Sequence, residues 1–323
     1  MSVWTRLRDF ARRPGGAITA AAAFGLMLAS LGMLAEGYGF ALLVFAPFLI
    51  GYAAADLYDG PHRTSWLALA GLSQAALAGA GALLLLMGRE GLICLLMALP
   101  LGSPLAALGA TFVYLCRRAE RTGPGATVGA LALFPVLLFV ESRILPEPPV
   151  YQVSTSVDVN APPERVWKTV IAFPELPEPT EPLFRMGIAY PVRAEIRGEG
   201  VGAVRRCVFS TGVFIEPIEV WDAPRLLRFR VSANPAPMEE WTPYPNVRPP
   251  HLSGFLQARQ GQFRLEPRSG GGTRLAGTTW YSHGLWPAFY WRIWADAIIH
   301  RVHLRVLDHI RRQAEAPQAT GAP

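Results

Sequence analysis

The chain has 323 residues, of which 51% are hydrophobic and only 17% are charged, and its formal net charge is +6. Soluble domains usually contain about 25% charged residues, so this composition argues against a single soluble globular domain and against a disordered chain. The basic residues include one lysine, Lys168, and form no run interleaved with aromatic residues, which argues against nucleic acid as a partner.

Five long uncharged segments fill most of residues 1–143. They contain 22, 19, 25, 26 and 19 residues and are rich in Ala, Leu, Gly, Val and Phe. About 20 consecutive apolar residues suffice for a helix to cross the hydrocarbon core of a bilayer. We therefore predict a multi-pass α-helical membrane region of five helices. The predicted spans lie near residues 17–35, 38–55, 65–87, 91–115 and 124–140.

The fourth span is interrupted near its middle. Pro100, Gly102 and Pro104 lie there, and each proline removes a backbone hydrogen bond from a helix. We predict a kinked helix. The alternative is a re-entrant loop, which would invert the topology of everything that follows.

Arginines between the spans predict how the chain crosses the membrane. Five crossings place eight arginines on one side and two on the other, up to Arg143. Positively charged residues favour the cytoplasmic side. We predict a bacterial inner-membrane protein with a cytoplasmic N-terminus and a periplasmic C-terminal domain. A short interfacial helix containing Trp4 and Phe10 is expected before the first span.

The spans are expected to anchor the protein rather than to transport a solute. No ionisable residue lies near the middle of a span, where a transporter or proton relay would place one. Small residues are abundant, for example over 20–23 and 75–82, and they favour close packing between helices.

The character of the chain changes after the membrane region. Residues 144–149 form a proline-rich linker, residues 150–315 form the predicted second domain, and 316–323 are expected to be a disordered tail. The domain begins with alternating residues from Tyr151 to Val159, which predict a strand, and continues into a helix that Asn160 can cap. Short turns between the later strands indicate antiparallel pairing. These strands are predicted at 190–197, 203–210, 213–221, 225–233 (the longest well-formed one), 254–265 and 273–282.

A long amphipathic helix, roughly Pro287 to Gln313, ends the domain. At 100° per residue, one face carries apolar residues that we expect to pack on the sheet. This predicted face consists of Trp286, Phe289, Tyr290, Ile293, Ala297, His300, Leu304 and Leu307.

Four features of this half resemble one family. They are the strand and proline-started helix over 157–167, the glycine-rich turn at 198–202, the segment 214–221 and the terminal helix. With them, about residues 150–315 resemble the START-like superfamily (SRPBCC; polyketide cyclase/dehydrase and lipid transport). The resemblance implies an α+β helix-grip domain, in which a curved antiparallel sheet wraps around the long C-terminal helix. It also implies a cavity for a lipid, sterol, polyketide or other apolar ligand, with catalysis in only some members.

Aromatic and polar residues near this cavity are the candidate ligand-binding residues. Aromatic side chains can stack on a flat or acyl ligand, while a packed core and contact with the membrane interface are the alternatives. Of Arg205 and Arg206, and likewise of Glu216 and Glu219, the strand alternation turns only one toward the cavity. The candidates are Trp280, Tyr281, Trp286, Phe289, Tyr290, Ile293, Trp294, Ala297, His300, Glu216 and Arg205.

A catalytic interpretation rests on helix spacing, since Asp296, His300 and His303 are spaced i, i+4 and i+7. Asp296 could orient the imidazole of His300 as a general base, together with a tyrosine such as Tyr281 or Tyr290. The alternative is a structural pair. A metal site would need a third ligand such as His283 or His251 from elsewhere in the fold, so the sequence predicts no metal and no cofactor.

The insertion at residues 235–253 is a candidate lid. Long loops inside compact domains are often binding loops, and this one carries Met238, Trp241, Tyr244 and His251. It could cover the cavity mouth or lie on the membrane surface.

The sequence therefore predicts a membrane-anchored protein that binds a membrane lipid or another apolar small molecule. The bilayer is its expected environment, and the sequence identifies no protein partner. The alternatives are a cyclase, dehydratase or hydrolase that uses the same cavity, and a partner-binding module of a membrane complex.

Overall fold

The structure is a computed structural model that describes residues 9–35, 37–58, 64–119, 125–144, 147–245, 247 and 249–317, without the side chains of 125–131. The predicted interfacial position Trp4 and most of the predicted tail lie outside the described residues. The chain forms two compact units. The first comprises Met1–Glu147, Glu240–His251 and Gly284–Tyr290, and the second comprises Pro148–Glu239, Leu252–His283 and Trp291–Pro323.

The first unit is helical. Three of its helices, Pro14–Leu34, Trp66–Leu86 and Leu92–Arg118, are long and apolar enough to cross a membrane. The apolar segment Ala41–Leu57 is shorter, and the predicted fifth span begins at the edge of the described residues, so the count of five stays a prediction. The helices are α1 (Pro14–Leu34), a π-helical segment (Ala41–Phe45) running into α2 (Ala46–Leu57), α3 (Trp66–Leu86), α4 (Leu92–Arg118) and α5 (Gly125–Ile144).

The fourth predicted span is one continuous helix. Helix α4 runs through Pro100 and Pro104 without a break and not as a re-entrant loop, while the kink itself stays a prediction. A polar pair lies beside the prolines, since the Gln74 amide donates to the Ser103 carbonyl at 3.0 Å and accepts from the Ser103 hydroxyl at 2.7 Å. These bonds keep polar groups of the apolar segment paired.

Small residues set the spacing between helices α2 and α4. A Cβ atom added to Gly51 would lie 1.9 Å from the carbonyl oxygen of Ala106, and one added to Gly109 would lie 2.1 Å from the carbonyl oxygen of Phe48. Each glycine therefore allows one backbone to reach the other, which is how small residues act at helix contacts in membranes.

The second unit is a seven-stranded antiparallel sheet with a long C-terminal helix, a helix-grip fold. The strands are β1 (Val150–Val159), β2 (Pro191–Arg197), β3 (Val204–Phe209), β4 (Gly212–Asp222), β5 (Leu226–Arg230), β6 (Leu256–Pro267) and β7 (Thr273–His283). They occur in the order β1-β7-β6-β5-β4-β3-β2, so β2 to β7 form a meander and β1 joins it beside β7. Short helices α6 (Pro163–Ile171) and α7 (Pro182–Arg185) follow β1, and α8 (Ala288–Glu315) ends the fold.

The core of this unit includes side chains of α6, α8 and the sheet. Leu227 and Leu275 of the sheet are buried together with Leu307 and Ile310 of α8. Trp167 of α6 meets Trp221 of β4 edge to face, with ring centroids 5.7 Å apart. Burial of these apolar surfaces is the main stabilising contribution.

Two sequence predictions about this unit are corrected. The alternating stretch 225–233 is not the longest strand, because its ladder ends at Arg230. The buried side of α8 also differs from the predicted face: Ile293 is 65% exposed, whereas Trp291 and Ala295 are buried. Apolar residues occur on both sides of α8, so the periodicity left the rotation of this helix open by about one residue, or 100°.

Candidate functional site

A cavity of about 170 Å³ lies between the sheet and α8 within the second unit. Its wall is formed by residues of β3 to β7 and by one side of the helix. On β3 and β4 the lining residues alternate, because side chains of a strand point to opposite faces in turn. Most lining side chains are apolar, including Phe209, Phe214, Phe229, Phe263, Val302 and Val306.

A buried ion pair belongs to this wall. Arg205 of β3 and Glu216 of β4 face each other in the sheet register, and the Arg205 Nη1 donates to Glu216 Oε2. Arg205 is 2% exposed and Glu216 is 6% exposed. Such charges are tolerated in a protein interior only when they are paired and hydrogen-bonded.

Further contacts hold the Arg205 guanidinium in place. Its Nε donates to the carbonyl oxygen of Ile171 at 3.2 Å. Three phenyl rings surround its carbon atom at 5.4–5.6 Å, those of Phe173, Phe229 and Phe263. These distances allow cation–π attraction.

Arg205 and Glu216 are the members of the two predicted pairs, Arg205/Arg206 and Glu216/Glu219, that line the cavity. Glu219 is exposed, and Arg206 does not line the cavity, unlike Arg205 and Glu216. Cys207 of β3 also lines the cavity, and burial raises the pKa of its thiol to about 12. That thiol is therefore a neutral part of the wall at ordinary pH.

Tyr281 contributes a hydroxyl group with a fixed partner. Its side chain is fully buried at the wall, and its hydroxyl donates to Asp296 Oδ1 at 2.5 Å. The other carboxylate oxygen of Asp296 accepts from Arg292 Nε at 3.2 Å. Burial, assisted by Asp296, raises the pKa of the Tyr281 phenol, so the phenol stays protonated.

His303 is the histidine that lines the cavity. Its Nε2 lies 2.7 Å from Thr279 Oγ1 and its Nδ1 lies 3.1 Å from Thr155 Oγ1. Burial, together with the neighbouring His300, lowers the pKa of His303 to about 4. The imidazole is therefore neutral near pH 7 and is held by two threonine hydroxyl groups.

The predicted Asp296–His300 pair does not form. The exposed side chain of His300 places its Nδ1 2.8 Å from Thr155 Oγ1, while Asp296 is occupied by Tyr281 and Arg292. Tyr281, Asp296 and His300 therefore do not meet at a common point in the cavity, because the i,i+4 spacing on α8 allowed a contact that other partners replace.

Most of the predicted aromatic candidates lie elsewhere. The start of α8 belongs to the first unit, where the backbone N–H of Trp286 donates to the carbonyl oxygen of Tyr38 at 3.1 Å and the Tyr290 hydroxyl donates to that of Met97. Among the residues described, the predicted candidates that do not line the cavity are Trp280, Trp286, Phe289, Tyr290, Ile293, Trp294, Ala297 and His300.

The insertion is divided between the two units. Met238 lies in the second unit, where it forms an isolated bridge with Ile188. Trp241, Tyr244 and His251 lie in the first unit. The start of the insertion contributes Pro235, Ala236 and Pro237 to the cavity wall.

The predicted face of α8 includes Leu307, which lines the cavity, but it omits most of the other lining residues of this helix. The omitted apolar residues are Ile298, Ile299, Val302 and Val306. These residues have helical spacing of their own and form a second apolar stripe, next to the predicted face.

The family match to known proteins covers the part of the chain that contains the second unit. The family model described as "Polyketide cyclase / dehydrase and lipid transport" matches residues 151–315. Among curated proteins no match is found. Among solved structures, the chain is similar to the ZhuI aromatase/cyclase from Streptomyces sp. R1128, with 18% identity and a TM-score of 0.35 over 54% of this chain and 100% of that one. It is also similar to a truncated norcoclaurine synthase from Thalictrum flavum, with 14% identity and a TM-score of 0.34 over 54% and 99% of the two chains.

Proposed function

Since the chain belongs to the polyketide cyclase/dehydrase and lipid transport family, we propose that it binds a lipid or another hydrophobic small molecule in the cavity between its sheet and α8. The single observation that carries this proposal is the apolar wall of that cavity. Aromatic and aliphatic side chains lose contact with water when an apolar ligand enters, which favours binding.

The polar groups of the wall fit the same proposal. Arg205 and Glu216 neutralise each other, and His303 is a neutral imidazole, so the wall presents no net charge from these groups. An acyl chain or a ring system needs no counter-charge. A polar end of the ligand would meet neutral lining groups such as Thr278 and Asn234.

The apolar helices of the first unit support a membrane anchor. Helices α1, α3 and α4 are each long enough to span, and a bilayer then holds both the protein and a pool of apolar ligand. Covalent attachment raises the effective concentration of the binding domain at that pool. We place the second unit on the periplasmic side of a bacterial inner membrane, because the arginines between the predicted spans favour that orientation.

Ligand binding is tested on the full chain in detergent micelles or nanodiscs. The probe is N-phenyl-1-naphthylamine, whose fluorescence increases in apolar surroundings. Val302→Trp should abolish binding, since the indole would fill the cavity that Val302 lines. The matched control is Ala297→Trp, at an exposed position on the same helix, which should bind the probe as the unchanged protein does.

Two results would contradict the proposal. One is equal probe binding by the folded Val302→Trp and Ala297→Trp variants, which would place binding outside the cavity. The other is the absence of co-purified lipid in native mass spectrometry together with no probe binding by the unchanged chain.

Orientation has a separate test. Reporter fusions directly after Arg143 should be active only with a periplasmic reporter such as alkaline phosphatase. Activity only with a cytoplasmic reporter would overturn the proposed topology and leave the binding proposal intact.

A further inference from the structure

The first unit brings His251 to two side chains, Glu90 and Cys94, that lie about 160 residues earlier in the sequence. Glu240 and Trp241 pack against the start of α4, where the Glu240 carboxylate accepts from the backbone N–H of Ile93 at 2.9 Å and of Cys94 at 3.0 Å. The backbone N–H of Leu92 also donates to the carbonyl oxygen of Trp241 at 3.0 Å. Farther along the chain, His251 contacts the Cys94 side chain.

Glu90, Cys94 and His251 form a compact cluster. The Cys94 Sγ lies 2.7 Å from His251 Nε2, and one donor atom from each of the three residues lies within 4.8 Å of the others. Glu90 is 5% exposed and His251 is 8% exposed, so water does not surround them. Thiolate, imidazole and carboxylate are the three side-chain types that commonly bind zinc in proteins.

Two buried polar atoms in this cluster lack a hydrogen-bond partner within the described part of the chain. They are Glu90 Oε2 and His251 Nδ1, which lies 3.5 Å from Glu90 Oε1. The other carboxylate oxygen, Oε1, accepts from the Tyr38 hydroxyl at 3.2 Å. A buried carboxylate oxygen without a donor is unfavourable, and a bound cation would remove that cost.

We propose that Glu90, Cys94 and His251 bind a divalent transition-metal ion of the zinc type. Zinc bonds of about 2.0–2.3 Å at tetrahedral angles place neighbouring ligand atoms about 3.3–3.8 Å apart. In the cluster the Cys94 Sγ lies 2.7 Å from His251 Nε2, and all donor atoms lie within 4.8 Å of one another, so small side-chain shifts complete the site. The thiolate and imidazole favour zinc over magnesium or calcium, which prefer oxygen ligands.

The surroundings of the cluster match those of bound metals. Carboxylate ligands usually accept a hydrogen bond from an outer partner, and the Tyr38 hydroxyl supplies one to Glu90. The Tyr38 ring also packs edge to face on the His251 imidazole, with centroids 5.1 Å apart. Three protein ligands leave the fourth tetrahedral position for a water molecule or a small ligand.

The full chain in micelles, stripped with a chelator and then titrated with Zn²⁺ or Co²⁺ alone, tests this site. We expect one ion per chain, and the Co²⁺ form should show the thiolate-to-cobalt charge-transfer absorption that reports a sulfur ligand. Cys94→Ser should abolish that absorption, and His251→Gln should weaken Zn²⁺ binding at least tenfold. The control is Cys116→Ser, which removes a thiol at the other end of the same helix and should leave binding unchanged.

The variant Tyr38→Phe tests the role of the Tyr38 hydroxyl, which donates to Glu90 and is not itself a proposed metal ligand. It should weaken Zn²⁺ affinity about 10-fold to 100-fold without removing the charge-transfer band. A second measurement needs no variant: stoichiometric Zn²⁺ should slow alkylation of Cys94 in the unchanged chain, as mass spectrometry of the labelled peptide would show.

Two results of the Zn²⁺ titration would reject the proposed metal site. They are no stoichiometric Zn²⁺ uptake by the folded chain, or uptake that the Cys94→Ser variant retains in full. Fast alkylation of Cys94 that depends on His251 and does not respond to Zn²⁺ would instead identify a thiol–imidazole pair, and would also reject the metal site.

Discussion

Removal of the charge on Glu216 should strongly destabilise the second unit. In Glu216→Gln the side-chain volume is kept, but the guanidinium of Arg205, which is 2% exposed, loses its counter-charge. Breaking a buried ion pair by removing one partner costs about 3–5 kcal/mol. The Ile171 carbonyl and the three phenyl rings still stabilise the cation, so the lower end of that range, about 3 kcal/mol, applies here.

The double replacement Arg205→Met with Glu216→Leu should behave differently. Buried ion pairs replaced together by apolar residues of similar volume are often neutral or stabilising, by about 1–4 kcal/mol. The double variant should therefore be at least as stable as the unchanged protein. A matched control is Glu195→Gln, which breaks an exposed pair with Arg193 on neighbouring β2 and should leave the stability unchanged.

The assay is urea unfolding of the full chain in micelles, followed by the fluorescence of the packed pair Trp167 and Trp221, with the other tryptophans replaced by phenylalanine. In a heating experiment followed by the same fluorescence, the thermal midpoint of Glu216→Gln should fall by about 6–12 °C, at about 2–4 °C per kcal/mol for a domain of this size. If the single and double variants lose equal stability, or if Glu216→Gln is as mild as the exposed control, the reasoning from burial is refuted.

Two further predictions concern the same unit. Burial lowers the pKa of His303 to about 4 in the folded protein, whereas the same imidazole has a pKa near 6.5 in the unfolded chain. Between roughly pH 6.5 and pH 4 the unfolded chain therefore binds one proton that the folded protein does not bind. Stability is therefore greatest above pH 6.5 and falls by up to about 3 kcal/mol as the pH drops toward 4, so His303→Gln should flatten the acid unfolding curve. An unchanged acid unfolding curve for that variant would contradict this assignment. Gly261→Ala should destabilise by about 1–3 kcal/mol, since its Cβ would lie 2.5 Å from the buried ring of Phe229. Gly277→Ala, whose Cβ meets ordinary contacts from 3.5 Å outward, should be clearly milder in the same urea titration, and equal losses would contradict the overpacking argument.

Much of the second unit could be predicted because its signals are local. Alternation and turn residues placed β1 at Tyr151–Val159, against Val150–Val159 observed, and predicted the six strands that follow. The ladder of β5 ends at Arg230 although the alternation continues, because pairing depends on the neighbouring strand and not on the pattern alone.

The candidate sites were harder to predict because they depend on contacts between distant segments. Apolar residues on both sides of α8 left the rotation of this helix open. The predicted face therefore includes Ile293, which does not line the cavity, and omits Val302, which does. The approach of His251 to Cys94 joins positions more than 150 residues apart, with no shared motif. Local spacing carries no information about such pairs.

The strand order also has a consequence for synthesis. Strand β1 leaves the ribosome early, but its ladder partner is β7, and even the nearest pair, Val159 and Thr273, is separated by more than one hundred residues. At about 5–20 residues per second, β1 waits roughly 5–20 s for that partner. During this interval it is an unpaired strand that could join a second nascent chain. Its outward face, formed by Gln152, Ser154, Ser156 and Asp158, is polar and exposed, which keeps such wrong pairing unfavourable until β7 arrives.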